Sequence, residues 1–82
     1  MIFLINYDRR HGALVSLREF HDSERTQAED ARLELELREK RTPEHEIVLL
    51  QAVDQKTIRT THRRYFEGRI DAARVAEAGP FD

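Results

Sequence analysis

Between Arg59 and Phe66 the chain reads RTTHRRYF, placing three arginines, a histidine and two aromatics within eight positions. An imidazole titrates near neutral pH and can hold a ligand or move a proton, so His62 with Tyr65 is the candidate ligand-binding pair. Guanidinium and ammonium groups neutralise phosphate. Arg9 and Arg10 of the segment DRRH therefore join Lys56, Arg59, Arg63 and Arg64 as the candidate nucleic-acid-binding set. Helical spacing gives a plainer reading. Ile58, Thr61, His62 and Tyr65 fall on one side of a helix, while Lys56, Thr60 and Arg63 fall outward, so the segment is an amphipathic helix with cations near its C-terminal end. On that reading His62 is a structural residue held by a hydrogen bond.

Other chemistries find little material. The chain has no cysteine, which excludes disulfides, thiolate metal sites and a cysteine nucleophile. His11, His21, His45 and His62 lack the one-turn spacing of a histidine pair on a metal, so no metal site is expected. There is no glycine-rich phosphate loop and no nucleophile motif. No cofactor is implied, and the balance of residues points away from an enzyme. A small enzyme would need a cleft between the loop at Arg9 and Arg10 and the helix carrying His62.

Net charge is −2, but the charges are segregated. Eight acids between Glu19 and Glu39 face only Arg25, Arg32 and Arg38, whereas Gln55 to Arg69 is basic. The acidic half repels phosphate, so nucleic-acid binding stands as an alternative to an interaction role. The apolar start MIFLINY is too short for a signal-peptide core or a membrane span, and a soluble, cytoplasmic protein without membrane contact is expected.

The elements that must position these residues are legible from patterning. IFLINY (Ile2–Tyr7) and ALVSLREF (Ala13–Phe20) are rich in branched and aromatic residues and flank DRRHG, predicting a hairpin with its loop at Asp8 to Gly12 and Tyr7 opposite Ala13. Ser23 to Arg41 predicts a helix closed by Pro43. Its segment LELELR alternates as a strand would, but leucine, glutamate and arginine favour the helix that the preceding residues begin. HEIVLLQAV (His45–Val53) is a third strand, and Asp54 caps a second helix over Gln55 to Phe66 that stops near Gly68. Residues 1–68 form one domain, and residues 69–82 a C-terminal segment in which Ile70–Ala78 suits a short helix.

The expected fold class is α+β, a three-stranded sheet of order 2-1-3 from a β-β-α-β-α chain, with both helices packed on one face. That core face carries Phe3, Ile5, Tyr7, Ala13, Val15 and Leu17 with Val48, Leu50 and Ala52. The opposite face remains largely apolar. Leu4, Leu14, Phe20, Ile47 and Leu49 on it form the candidate dimer interface, because a chain of 82 residues gains from a partner and a wet apolar face is costly. On the first helix Ala28, Ala31 and Leu35 lie together, and Leu33 and Leu37 lie opposite them. The expected function is therefore a small interaction or regulatory module acting as a homodimer, with a further protein partner allowed.

Overall fold

The computed structural model describes residues 1–67; the expected helix at Ile70–Ala78 lies outside the described residues. Strands β1 (Ile2–Asp8), β2 (Ala13–Phe20) and β3 (His45–Gln51) form one sheet of order β2-β1-β3, with β1 antiparallel to both neighbours. Helix α1 (Arg25–Arg38) connects β2 to β3 across the sheet, and α2 (Gln55–Thr61) follows β3. The fold class is thus α+β, with the strand order read from the sequence.

The helices do not share a face. Side chains alternate along β1, sending Phe3, Ile5 and Tyr7 to one side and Ile2 and Leu4 to the other. The first set packs with Leu14, Leu17, Ile58 of α2 and Tyr65. The second packs with Phe20 and with Ala28 and Leu35 of α1. Expecting both helices on one face was incorrect, because β1 is apolar on both sides and each side needs its own cover. Leu4 and Phe20 are consequently buried beneath α1 within a single chain, and the apolar face assigned to a partner is mostly closed.

The hairpin differs from expectation by one residue. Asp8 pairs with Ala13 and Tyr7 with Leu14, but Asn6 pairs with Ser16, so Val15 is bulged out of the ladder. The bulge turns Leu14 into the core beside Tyr7 and leaves Val15 37% exposed, reversing the faces assigned to both. Leu14 therefore cannot belong to the same surface as Leu4 and Phe20. The loop closes through Gly12, whose φ of 61° lies in the left-handed region, and through the Asp8 carboxylate, which accepts bonds from the Arg10 and His11 amides at 2.9 and 3.2 Å.

Helix boundaries follow local chemistry. The helix expected from Ser23 begins at Arg25; Ser23 sits in the preceding 3-10 turn Asp22–Glu24, where the Glu24 carboxylate accepts from the His21 amide at 2.7 Å. Asp54 does cap α2, accepting from the Thr57 amide at 2.8 Å. The second helix is shorter than expected: it ends at Thr61, and Arg63–Tyr65 form a separate 3-10 turn. On α1 the two stripes separate as their spacing predicts, with Ala28 and Leu35 buried but Leu33 and Leu37 56% and 61% exposed. Leu35→Ala should accordingly lower the unfolding free energy by about 2–4 kcal/mol in denaturant titration, whereas Leu37→Ala should change it by less than about 0.5 kcal/mol.

Candidate functional site

Tyr65 anchors a polar cluster at the hairpin end of the sheet. The 3-10 turn directs its ring into the core, where it meets Tyr7 edge to face at a centroid distance of 5.2 Å and an interplanar angle of 81°. The hydroxyl reaches β3 and donates to Glu46 Oε2 at 2.6 Å, and Arg64 donates to the same carboxylate oxygen. The Arg64 guanidinium also lies 4.3 Å from the centre of the Tyr65 ring. These donors hold the Glu46 carboxyl below the ordinary glutamate range, with the Tyr65 hydroxyl as the largest cause and Arg64 next. Burial pushes the Tyr65 phenol up, reinforced by the adjacent carboxylate. Glu46 is thus a carboxylate and Tyr65 a neutral phenol at neutral pH. Their joint effect is to fasten the turn after α2 onto β3.

A second polar group lies one residue away. Asn6, 2% exposed, is a buried polar residue of the core, and its side-chain oxygen lies 2.9 Å from His45 Nδ1. An amide oxygen only accepts, which assigns the proton to Nδ1. Glu39, the C-cap of α1, approaches the same nitrogen at 3.6 Å. The Asn6–His45 bond gives the buried Asn6 side chain a partner across β1 and β3, and the Glu39 contact ties the end of α1 to the start of β3.

Four of the six candidate cations are engaged within the chain. Arg9 donates to the carbonyls of Pro43 and Glu44 at 2.7 and 3.3 Å, Arg63 pairs with Glu67, and Arg64 serves Glu46. Arg59 stacks on Phe66 with 5.3 Å from guanidinium carbon to ring centre. Arg10 and Lys56 are exposed but lie at opposite ends of the sheet, since α2 begins beside Glu19, which Gln55 contacts at 3.2 Å, and Glu19 pairs with Phe3. Arg9, Arg59, Arg63 and Arg64 thus each already hold a partner within the chain. His62 is the C-cap of α2, half-buried, with Nδ1 2.9 Å from the Thr61 hydroxyl. Helix α2 ends before it, and it is less buried than Ile58 and Tyr65. The two members of the candidate ligand pair take different partners.

The interface candidates divide as well. Leu4, Leu14 and Phe20 are buried, but Ile47 and Leu49 lie on β3, an edge strand whose residues from His45 to Leu50 are all only partly covered. Beside the other edge, a groove of about 220 Å³ runs between α1 and β2, floored by Leu4 and Leu35 and rimmed by Ser16, Arg18, Glu34 and Arg38. No cluster of three or more potential metal ligands occurs among the described residues. No helix among them is long and apolar enough to cross a membrane.

The sequence reading missed Glu46, Asn6 and His45. Glu46 and Tyr65 are 19 positions apart and Asn6 and His45 39 apart, so no periodicity links them. The only available signal was polar residues at positions that strand alternation sends toward a core. Because the folded-state pKa of Glu46 is depressed, its contribution is complete above the unfolded glutamate pKa of about 4.3 and is lost as pH falls through the folded value. Glu46→Gln and Tyr65→Phe should each lower stability at pH 7, Tyr65→Phe by about 1–2 kcal/mol, and Glu46→Gln should flatten the loss of melting temperature below pH 4.3. No protein-family model, no curated protein and no solved structure matches this chain.

Proposed function

We propose that this protein is a small interaction module that acts as a homodimer, with β3 as its contact edge. The observation that carries this reading is the difference between the two edges of the sheet. A free edge strand presents unpaired amides and carbonyls that invite another strand, and folded proteins guard such edges with bulges, charges, proline or short length. β2 is guarded: Val15 is bulged, and Arg18 and Glu19 stand exposed beside it. β3 carries none of these guards over Ile47, Val48, Leu49 and Leu50, and no described residue pairs with its outer edge.

Strand addition satisfies the edge with main-chain hydrogen bonds and gains roughly 25 cal/mol for each Å² of apolar area removed from water. A second copy always supplies a strand of matching length and pattern. The site chemistry favours an interaction role too. Glu46, Arg64, Tyr65, Asn6 and His45 are mutually satisfied and serve to fix β3 in place.

Sedimentation equilibrium of the full chain should give a dimer mass in the micromolar range. Leu49→Lys should weaken association at least tenfold, because the long stem still covers the core edge while the ammonium charge opposes a second strand. Leu37→Lys, on the outward side of α1, should leave association unchanged. A monomeric mass up to about 1 mM, where association contributes roughly 4 kcal/mol, would exclude the dimer.

A further inference from the structure

We infer that the dimer is set in register by the flank of α1 that overhangs β3, which carries a self-complementary stripe of charge. This inference rests on the β3 edge proposed above and specifies its partner as a second copy in one orientation.

Two contacts fix how α1 lies. Arg25 at its start donates to Gln51 at the end of β3 at 2.9 Å, and Glu39 at its close lies 3.6 Å from His45 at the strand's beginning. The helix therefore runs antiparallel to β3 along its whole length. Ala28 and Leu35 pack over Ile2 and Leu4 of β1 and against Ile47 and Leu49 of β3, while the groove opens on the β2 side. Helical spacing then sends Arg25, Glu29, Arg32 and Glu36 to the flank above the β3 edge. Each side chain is about half exposed, at 50%, 54%, 46% and 48%, and the ion pairs among the four are long, Arg25–Glu29 at 3.9 Å and Arg32–Glu36 at 3.7 Å.

Two copies of β3 joined edge to edge continue the sheet to six strands about a two-fold axis normal to it. Adjacent strands are about 4.8 Å apart, so a helix lying between β1 and β3 stands about 5 Å from that axis and about 10 Å from its symmetry mate. That is a contact distance for packed helices. The two α1 helices run antiparallel, and the order Arg, Glu, Arg, Glu meets its own reverse: Arg25 faces Glu36 of the partner subunit, and Glu29 faces Arg32 of the partner subunit. Sliding by one turn instead opposes Arg25 to the partner subunit's Arg32, or Glu29 to the partner subunit's Glu36.

The strand agrees with this register. The middle of the charged stripe lies beside Val48 and Leu49, and a two-fold normal to the sheet must pass through one residue position. Placing Leu49 on the axis puts it opposite itself beneath the helix pair and sets Val48 opposite Leu50 of the partner subunit. Charge here selects the partner and its orientation, while the strand edge supplies the contact.

The test uses two full-chain variants whose circular dichroism and melting temperature are checked first. Arg25→Glu with Arg32→Glu makes the flank wholly acidic, and Glu29→Arg with Glu36→Arg makes it wholly basic. Each alone should associate at least tenfold more weakly than the parent at low salt, and an equimolar mixture should form a heterodimer at least as tight as the parent dimer, weakening as salt rises. If both variants dimerise as the parent does, the flank lies outside the interface, and this inference fails while the dimer stands. If the parent itself is monomeric, both fall. A second measurement is independent of these surface changes. The chain has no cysteine, so Leu49→Cys introduces a single thiol, and mild oxidation should link two chains, because opposed strand positions lie within disulfide reach. Absence of that link in a dimeric Leu49→Cys protein overturns the register.

Discussion

Strand β1 is apolar toward both faces of the sheet and has a neighbour along both edges, and every other element is placed by the need to enclose it. Ile2 to Tyr7 are all buried, including the polar Asn6. An inner strand of this kind cannot be covered from one side. α1 supplies Ala28 and Leu35 over Ile2 and Leu4, and α2 with its following turn supplies Ile58 and Tyr65 over Phe3, Ile5 and Tyr7. The polar bonds at the hairpin end follow from the same demand: Asn6 requires a partner once it is enclosed, and His45 provides one.

Much of the fold was legible because it rests on local pattern. The apolar run IFLINY, the Asp8 and Gly12 turn chemistry and the Asp54 cap each act within a few residues. The separation of Leu33 and Leu37 from Ala28 and Leu35 is likewise a property of one helix. What was not legible depends on choices that local pattern leaves degenerate. A second apolar face is satisfied equally by an intramolecular helix or by another subunit, and hydrophobic spacing on α1 shows which side is buried without saying against what. The bulge at Val15 is degenerate in the same sense, since either Leu14 or Val15 suits the core and only the closed hairpin decides.

The candidate site was less legible than the fold. RTTHRRYF holds one residue, Tyr65, that organises its surroundings, and it does so through Glu46 on another element. The arginines that resembled a phosphate-binding group are mostly held by carboxylates, carbonyls and rings of the same chain. Density of cations in a sequence therefore overstates the charge available to a ligand when acids and aromatics are interleaved with them.

The central position of β1 also orders the events of folding. Its contacts with β2 close across a short loop, but its contacts with β3 span separations such as the 39 residues between Asn6 and His45. Loop closure over that distance is entropically dearer, so the hairpin is the natural first structure and β3 the late arrival. During synthesis the hairpin and α1 leave the ribosome before β3 is complete, and through that interval the unguarded strand edge belongs to β1 rather than β3. The nascent chain thus exposes, for a time, the most apolar strand of the protein, and the speed with which α1 delivers β3 beside it sets how long that exposure lasts.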